Sequence, residues 1–388
     1  MKKFFAIMMA ALMIAGMFAG CASSGGAETN ANVIKIGMTG PLTGGAAEYG
    51  LAVQAGMEIA VEEINAAAGE DGLKIEFKAE DDEADGEKAV SGYNVLKDWG
   101  MQFFAGTVTS GACNAVAPET VNDEIFLLTP SASAPEVATA GANTYQMCFT
   151  DPNQGASAAE VINSKWADAT IGLIYDSSDD YSSGLYQGFM KKANELGLDV
   201  VVETSFTKDT KSDLSTQITQ CKDAGATLVF LPIYYSEASQ ILTYANKIGY
   251  APTFFGCDGM DGILGVEGFD AALAEGLSLM TPFDANATDE ATVSFVTKFK
   301  AKMNGLVPNQ FAADGYDCIY AIYAACVEKG VNGETPVAEA CALVSEWFNT
   351  TSGFDGLTGK GMTWDAEGMI SKIPAAVVVE NGIYVPMN

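Results

Sequence analysis

The sequence predicts an α/β protein made of two doubly wound units with mostly parallel sheets, and three observations carry that prediction. From Val33 onward, short apolar runs alternate with longer stretches whose apolar residues recur every three or four positions, the pattern of strands joined by helices. Strands separated by such helices pair through right-handed crossovers, which gives parallel sheets covered on both faces. A second series of the same kind begins near Ser157, and 388 residues exceed what one hydrophobic core usually serves.

Each element has its own local reason. Val33–Met38 reads as the first strand, and Leu51–Ala68 as a helix because Val53, Met57, Ala60, Val61 and Ile64 share one face. Strand 73–79, helix 87–99, strand 102–105, helix 112–122 and strand 124–128 complete the first series. The second runs helix 157–166, strand 170–175, helix 181–196, strand 200–204, helix 214–224, strand 227–231, helix 237–248 and strand 253–255. Strand 277–280 and three helices follow, at 288–303, 313–328 and 337–348. The end of the chain differs, with extended pieces at 362–364, 375–379 and 383–385, the last two joined by the turn signal Asn381-Gly382 into a terminal hairpin.

Composition removes several function classes. Fifty acidic residues against 20 basic ones give a net charge of −30, which repels nucleic-acid phosphates, so no nucleic-acid partner is expected. The chain has no His, which excludes Ser-His-Asp and Cys-His nucleophiles and imidazole metal sites. It also has no Arg, so every basic residue is Lys and an anion must be held by Lys, hydroxyls or backbone N–H groups.

The first residues read as an export signal: Lys2 and Lys3, then an apolar run from Phe4 to Ala19, too short to span a bilayer comfortably. Phe18-Ala19-Gly20-Cys21 resembles a bacterial lipoprotein box, so residues 1–20 are expected to be removed and Cys21 lipidated. Residues 21–32 are small and polar, the composition of a flexible tether. The expected location is outside the cytoplasm, on the outer face of the cell membrane or in the periplasm, with membrane contact through the lipid alone. The seven other cysteines form no C-x-x-C pair, and an odd number argues against a complete disulfide framework.

In open α/β sheets, ligands bind beyond the carboxyl ends of the strands. The segments following three first-series strands, Thr39–Gly50, Gly106–Gly111 and Thr129–Ala134, are rich in Gly, Ser and Thr and lead into helix N-termini. Exposed N–H groups and hydroxyls there make an anion site without a cationic side chain, as the missing Arg requires. Other motifs fail. Gly359-Lys360 lacks the first glycine of a phosphate loop, whose place Phe354 takes. The acidic run from Asp81 has Gly92 where a calcium loop needs Glu, and no G-x-S-x-G elbow occurs. No enzyme activity, metal or cofactor is expected.

Several segments, in order and spacing, carry a resemblance. They are Gly40-Pro41-Leu42-Thr43-Gly44 with Tyr49-Gly50, Asp81-Asp82, Thr129 to Glu136, Tyr175-Asp176 with Tyr181 to Gly184, Phe255 to Gly259, and Leu357 through Asp365. Over Val33 to Tyr384 the chain resembles the branched-chain amino-acid (leucine/isoleucine/valine) substrate-binding proteins of ABC transporters. That resemblance implies two interleaved lobes joined by three hinge crossovers, 33–149 with 282–361 and 150–281 with 362–388, closing on a small apolar amino acid for delivery to a permease. It places the ligand carboxylate on Ser110, the Ser133 N–H and the Tyr181 hydroxyl. The ammonium falls on the Ser131 carbonyl, the Ser133 hydroxyl and Asp258. The side chain falls among Tyr49, Val108, Tyr234 and Phe311, with Ala132 also at the site. Within the resemblance this chain has Asp258 for Glu, Ser133 for Thr, Ser131 for Ala and Val108 for Leu.

The residues alone leave other readings open. Ser110 and Ser133 also suit helix N-caps, Asp258 before Gly259 suits a turn, and the aromatic residues suit a packed core. The same architecture also serves another small ligand, such as an amide, an aromatic amino acid or a polyol, or a sensory receptor.

Overall fold

The structure, a computed structural model, describes residues 30–387, so the export signal and Cys21 lie outside the described residues. Two sheets organise the chain. The first contains β1 (Val33–Gly40), β2 (Lys74–Asp81), β3 (Phe103–Phe104), β4 (Phe126–Thr129) and β5 (Thr144–Gln146), all parallel, in the order β2-β1-β3-β4-β5. The second contains β6 (Thr170–Asp176), β7 (Asp199–Phe206), β8 (Leu228–Leu231), β9 (Thr253–Gly256), β10 (Ser278–Thr281), β11 (Ala375–Glu380) and β12 (Ile383–Pro386). Its order is β12-β11-β10-β9-β8-β6-β7, parallel except where β11 joins β10 and β12. The central strands are buried on both faces, which explains their unbroken apolar runs.

The connecting helices are α1 (Ala47–Ala68), α2 (Gly86–Trp99), α3 (Ser110–Asn122), α4 (Pro135–Ala138), α5 (Asp151–Lys165) and α6 (Asp180–Leu196). They continue with α7 (Ser215–Asp223), α8 (Tyr235–Lys247), α9 (Glu290–Lys302), α10 (Gln310–Lys329) and α11 (Val337–Thr350). Asp85, Asp179, Asp289 and Asn309 cap α2, α6, α9 and α10 by accepting from first-turn N–H groups. Glycines set how closely helices approach: a Cβ on Gly56 would strike the Ala312 carbonyl of α10, and one on Gly155 the Leu185 carbonyl of α6.

The expected strands and helices are present within a few residues, except that the extended piece at 362–364 makes only isolated bridges, from Met362 to Phe354 and from Trp364 to Ile370, and two further differences are informative. The short β5 and α4 were not expected, and α5 starts at Asp151 rather than near Ser157, because Pro152 sits in the first turn where its missing N–H costs nothing.

The chain passes between sheets three times: after β5, after β10, and before β11. The sequence boundary at Gly361 falls too early for the last passage. The Trp364 ring stacks 4.4 Å from Phe348 and its Nε1 donates to the Gln146 carbonyl at 2.8 Å, while Gln146 N–H donates to Gly368. These contacts hold the segment on the first sheet as far as Lys372. Lys372 itself is buried, its Nζ donating to Asp314 Oδ1 at 2.7 Å and to Thr358 Oγ1 at 2.6 Å. Among the described residues all seven cysteines are buried and unpaired, and no helix is long and apolar enough to cross a membrane.

Candidate functional site

Both sheets contain the strand order 2-1-3-4-5, counted from their own first strand: β2-β1-β3-β4-β5 and β7-β6-β8-β9-β10. In that order the chain reverses direction between the first and third strands, and the loops leaving them splay apart to form a crevice. Here the two crevices meet. Tyr49, Val108, Thr109, Ser110 and Ser131 come from segments following β1, β3 and β4, and Tyr181, Tyr234, Asp258 and Gly259 from those following β6, β8 and β9. Phe311 joins them from the start of α10.

Four rings form the apolar wall. Tyr181 and Tyr234 stack in parallel at 5.0 Å, Tyr49 meets Tyr234 edge-on at 5.5 Å, and Phe311 lies 4.5 Å from Tyr49. The space enclosed is about 10 Å³, room for about one water molecule. A guest of amino-acid size therefore enters only as the two sides part. A wider groove of about 400 Å³ lies between α7, α8 and residues 266–269, but it is open and shallow and lacks a comparable set of convergent buried polar groups.

The polar half is built around Asp258, which is 3 % exposed. Its Oδ1 accepts from the Tyr181 hydroxyl at 2.7 Å, and that hydroxyl accepts from Gly259 N–H at 2.8 Å. Burial pushes the carboxyl up to about 6, against the opposing effect of the Tyr181 and Gln154 hydrogen bonds. Gln154 Oε1 accepts from Asp258 N–H at 3.2 Å, and Gln310 Nε2 donates to the Asp258 carbonyl at 3.2 Å. Asp258 is thus gripped from both sides of the crevice.

Opposite, Ser110 opens α3 and its Oγ accepts from the N–H groups of both Ser133 and Ala134, at 3.1 Å each. It ties the loop after β4 to the loop after β3 and still has its own hydroxyl proton to give. Ser131 Oγ donates to the Val108 carbonyl at 2.7 Å and tightens the same junction. The two halves are joined by Tyr49, whose hydroxyl donates to the Gly259 carbonyl and accepts from Tyr235 N–H. Asn114 Nδ2 donates to Asp180 Oδ2 at 2.8 Å across the rim.

Eight of the ten ligand residues expected from the resemblance line this space: Tyr49, Val108, Ser110, Ser131, Tyr181, Tyr234, Asp258 and Phe311. Ser133 and Ala132 do not. Ser133 is turned beneath the surface with its N–H taken by Ser110, and the Ala132 carbonyl accepts from Gln146 Nε2 at 2.8 Å. Tyr181, expected on the carboxylate side, spends its hydroxyl proton on Asp258 instead. Thr109 and Gly259 line the space unannounced, as neighbours of expected residues. Neither Ser110 nor Ser133 is an N-cap: those places belong to Thr109 and Ala134. The acidic run at Asp81 is a loop tie, its carboxylate accepting from Leu42, Thr43 and Glu83 N–H groups and from Thr43 Oγ1.

Comparison with known proteins bears on the whole chain. The family model described as "Periplasmic binding protein" matches residues 33–382. The chain belongs to this family. A Pseudomonas aeruginosa leucine-, isoleucine-, valine-, threonine- and alanine-binding protein is 29% identical over 351 residues, 89% of this chain and 91% of that protein. The leucine-binding protein LivK of Thermotoga maritima superposes with a TM-score of 0.79 at 25% identity, covering 92% of this chain and 98% of that one. The branched-chain substrate-binding protein LivJ of Streptococcus pneumoniae, solved with isoleucine, gives 0.81 at 26%, covering 92% and 100%. The fold is that of a type I periplasmic binding protein, and the family and its neighbours are substrate-binding receptors that work outside the cytoplasm.

Proposed function

We propose that this periplasmic binding protein captures a small apolar, branched-chain-like α-amino acid between its two sheet units and delivers it to an ABC permease. The observation that carries the reading is the pairing of one buried, gripped carboxylate, Asp258, with aromatic walls, facing a helix start that carries Ser110. A zwitterion leaving water needs both charges matched, since an unmatched buried charge costs several kcal/mol. Asp258 Oδ2 meets the ammonium. The Ser110 hydroxyl and the first N–H groups of α3 meet the carboxylate, the role that replaces the absent Arg. Tyr49, Tyr234, Phe311 and Val108 receive the side chain. The relatives bind branched-chain amino acids, by their names, which supports the choice of side chain.

Opening separates residues 33–149 and the helices α9–α11 from residues 150–281 and the β11–β12 hairpin, about the three passages between sheets. Ligand contacts made from both units favour the closed form. Cys21 would carry the lipid that holds this unit at the membrane, which mass spectrometry of the native protein tests directly.

Calorimetric titration with the twenty amino acids tests the binding reading. Leucine, isoleucine or valine binds, and Asp258→Asn weakens that binding at least a hundredfold, the loss of one buried charge partner at about 3 kcal/mol. Undiminished binding by the variant removes Asp258 from the site.

A further inference from the structure

Three residues beyond Asp258, the loop after β9 makes a second grip on the opposite unit, outside the ligand space. Asp261 is 3 % exposed, and its Oδ2 accepts at 2.9 Å from the N–H of Gln310, the first residue of α10. Asn309 caps the same helix from within, taking the Ala312 N–H at 3.1 Å, so a carboxylate of the second unit completes a helix start of the first. The Gln310 side chain returns the contact by donating to the Asp258 carbonyl. On its far side the Asp261 carboxyl neighbours the Tyr384 hydroxyl of β12. Asp261 Oδ1 and that hydroxyl are both buried and stop short of hydrogen-bond geometry.

The packing of α10 gives this grip its effect. A Cβ on Gly56 would strike the Ala312 carbonyl and one on Gly315 the Val53 carbonyl, so α1 and α10 lie backbone to backbone and move as one. Phe311 stands on α10 and Tyr49 on α1, their rings 4.5 Å apart. We propose that Asp261 is the latch of the closed form, a positioning residue through which the second unit holds the start of α10 and so sets Phe311 and Tyr49 against the loop carrying Asp258. This rests on the closing motion proposed above and not on which amino acid is bound. Parting the units gives Asp261 and the Gln310 N–H to water, so the contact favours the closed form alone.

Such a latch responds to protons. In the closed form burial raises the Asp261 carboxyl to about 7; Asp258 on its own loop adds to the rise, and the Gln310 and Gly262 N–H groups and the Tyr384 hydroxyl oppose it. In water the carboxyl returns to about 4. Closing therefore takes up a proton between those values, and the latch tightens as pH falls. The neutral acid accepts from Gln310 with one oxygen and turns its O–H toward the Tyr384 oxygen, so both orphaned atoms are met.

The test is small-angle scattering of the free full chain and calorimetry with L-isoleucine, each at pH 5 and pH 8, on wild type, Asp261→Asn and Asp261→Ala. The amide keeps an acceptor for Gln310 and a donor for Tyr384 but does not titrate. The affinity of Asp261→Asn relative to wild type rises at least tenfold from pH 5 to pH 8, a ratio in which the titration of Asp258 and Asp179, present in both proteins, cancels. Asp261→Ala binds at least tenfold more weakly than Asp261→Asn at both pH values, and its free form has the larger radius of gyration. Equal affinity and equal scattering of the two variants overturn the latch, and so does an Asn-to-wild-type ratio that stays constant with pH. Failure of wild type to bind any of the twenty amino acids refutes the receptor reading, and the scattering still decides the latch.

Discussion

Removing the Tyr49 hydroxyl is the sharpest perturbation of how the two units meet. Tyr49→Phe keeps the ring and its contacts with Tyr234, Tyr235 and Phe311 but deletes one oxygen that makes two bonds across the crevice. In the closed arrangement the Gly259 carbonyl and the Tyr235 N–H then lose their partner in a buried setting. Each unmet buried group costs about 1–3 kcal/mol, but water reaches both once the units part, so the penalty falls on the closed form. Taking about 2 kcal/mol for the pair, the closed form loses roughly thirtyfold in population, and ligand affinity falls by up to the same factor. Calorimetry with the preferred amino acid reads the affinity, and small-angle scattering reads the radius of gyration of the free protein, which rises. An affinity within twofold of wild type, with unchanged scattering, refutes the assignment of this hydroxyl as a clasp.

Other perturbations follow from the same structure. Burial raises Asp82 and Asp258 to about 6 and Asp179 and Asp261 to about 7, against unfolded values near 4. The stability these groups contribute is full below about pH 4 and is lost progressively from there until pH passes the folded values of 6 to 7. Asp81, Asp123 and Glu63, held down by hydrogen bonds and lysines, act oppositely and lose their contribution as pH falls below about 4. Thermal melting is therefore highest near pH 4 and falls by several degrees between about pH 4 and pH 7; a flat profile contradicts this. Lys372→Met strands Asp314 in the interior and costs about 3–5 kcal/mol in urea unfolding, and adding Asp314→Asn recovers at least half of it. No recovery in the double variant means the pair is not coupled. Gly56→Ala drives a methyl into the Ala312 carbonyl and destabilises by roughly 1–3 kcal/mol in the same assay, with no effect expected if α1 and α10 are free to slide apart.

Much of this was legible in the sequence for a physical reason. Buried parallel strands are apolar over most of their length, so β4, β8 and β10 announce themselves, and the loops after β1, β3 and β4 carry the small residues that let backbone approach a guest. Ser110, Ser131, Tyr181, Tyr234 and Asp258 all sit in segments that follow strands, where inspection naturally falls. Gln154, whose Oε1 holds Asp258, escaped because β5 has only three residues, too few to show a period, and because Asp151-Pro152-Asn153 reads as a turn although it opens a helix. Nor does any local pattern reveal that the Tyr181 hydroxyl turns to Asp258, since 77 positions separate them. The return of Trp364 to the first sheet is likewise a tertiary matter, decided by the aromatic slot beside Phe348.

The seven buried thiols have a consequence for the life of the protein beyond the cytoplasm. Burial raises each of them above its ordinary range, so the folded chain offers oxidants almost no thiolate to attack. With no cross-link among them in the folded protein, nothing restrains the chain once it opens, and an odd set of sulfurs then becomes reactive together. Durability in air is thus a matter of how seldom the interior is bared, and damage by oxygen follows the rhythm of unfolding rather than the concentration of oxidant.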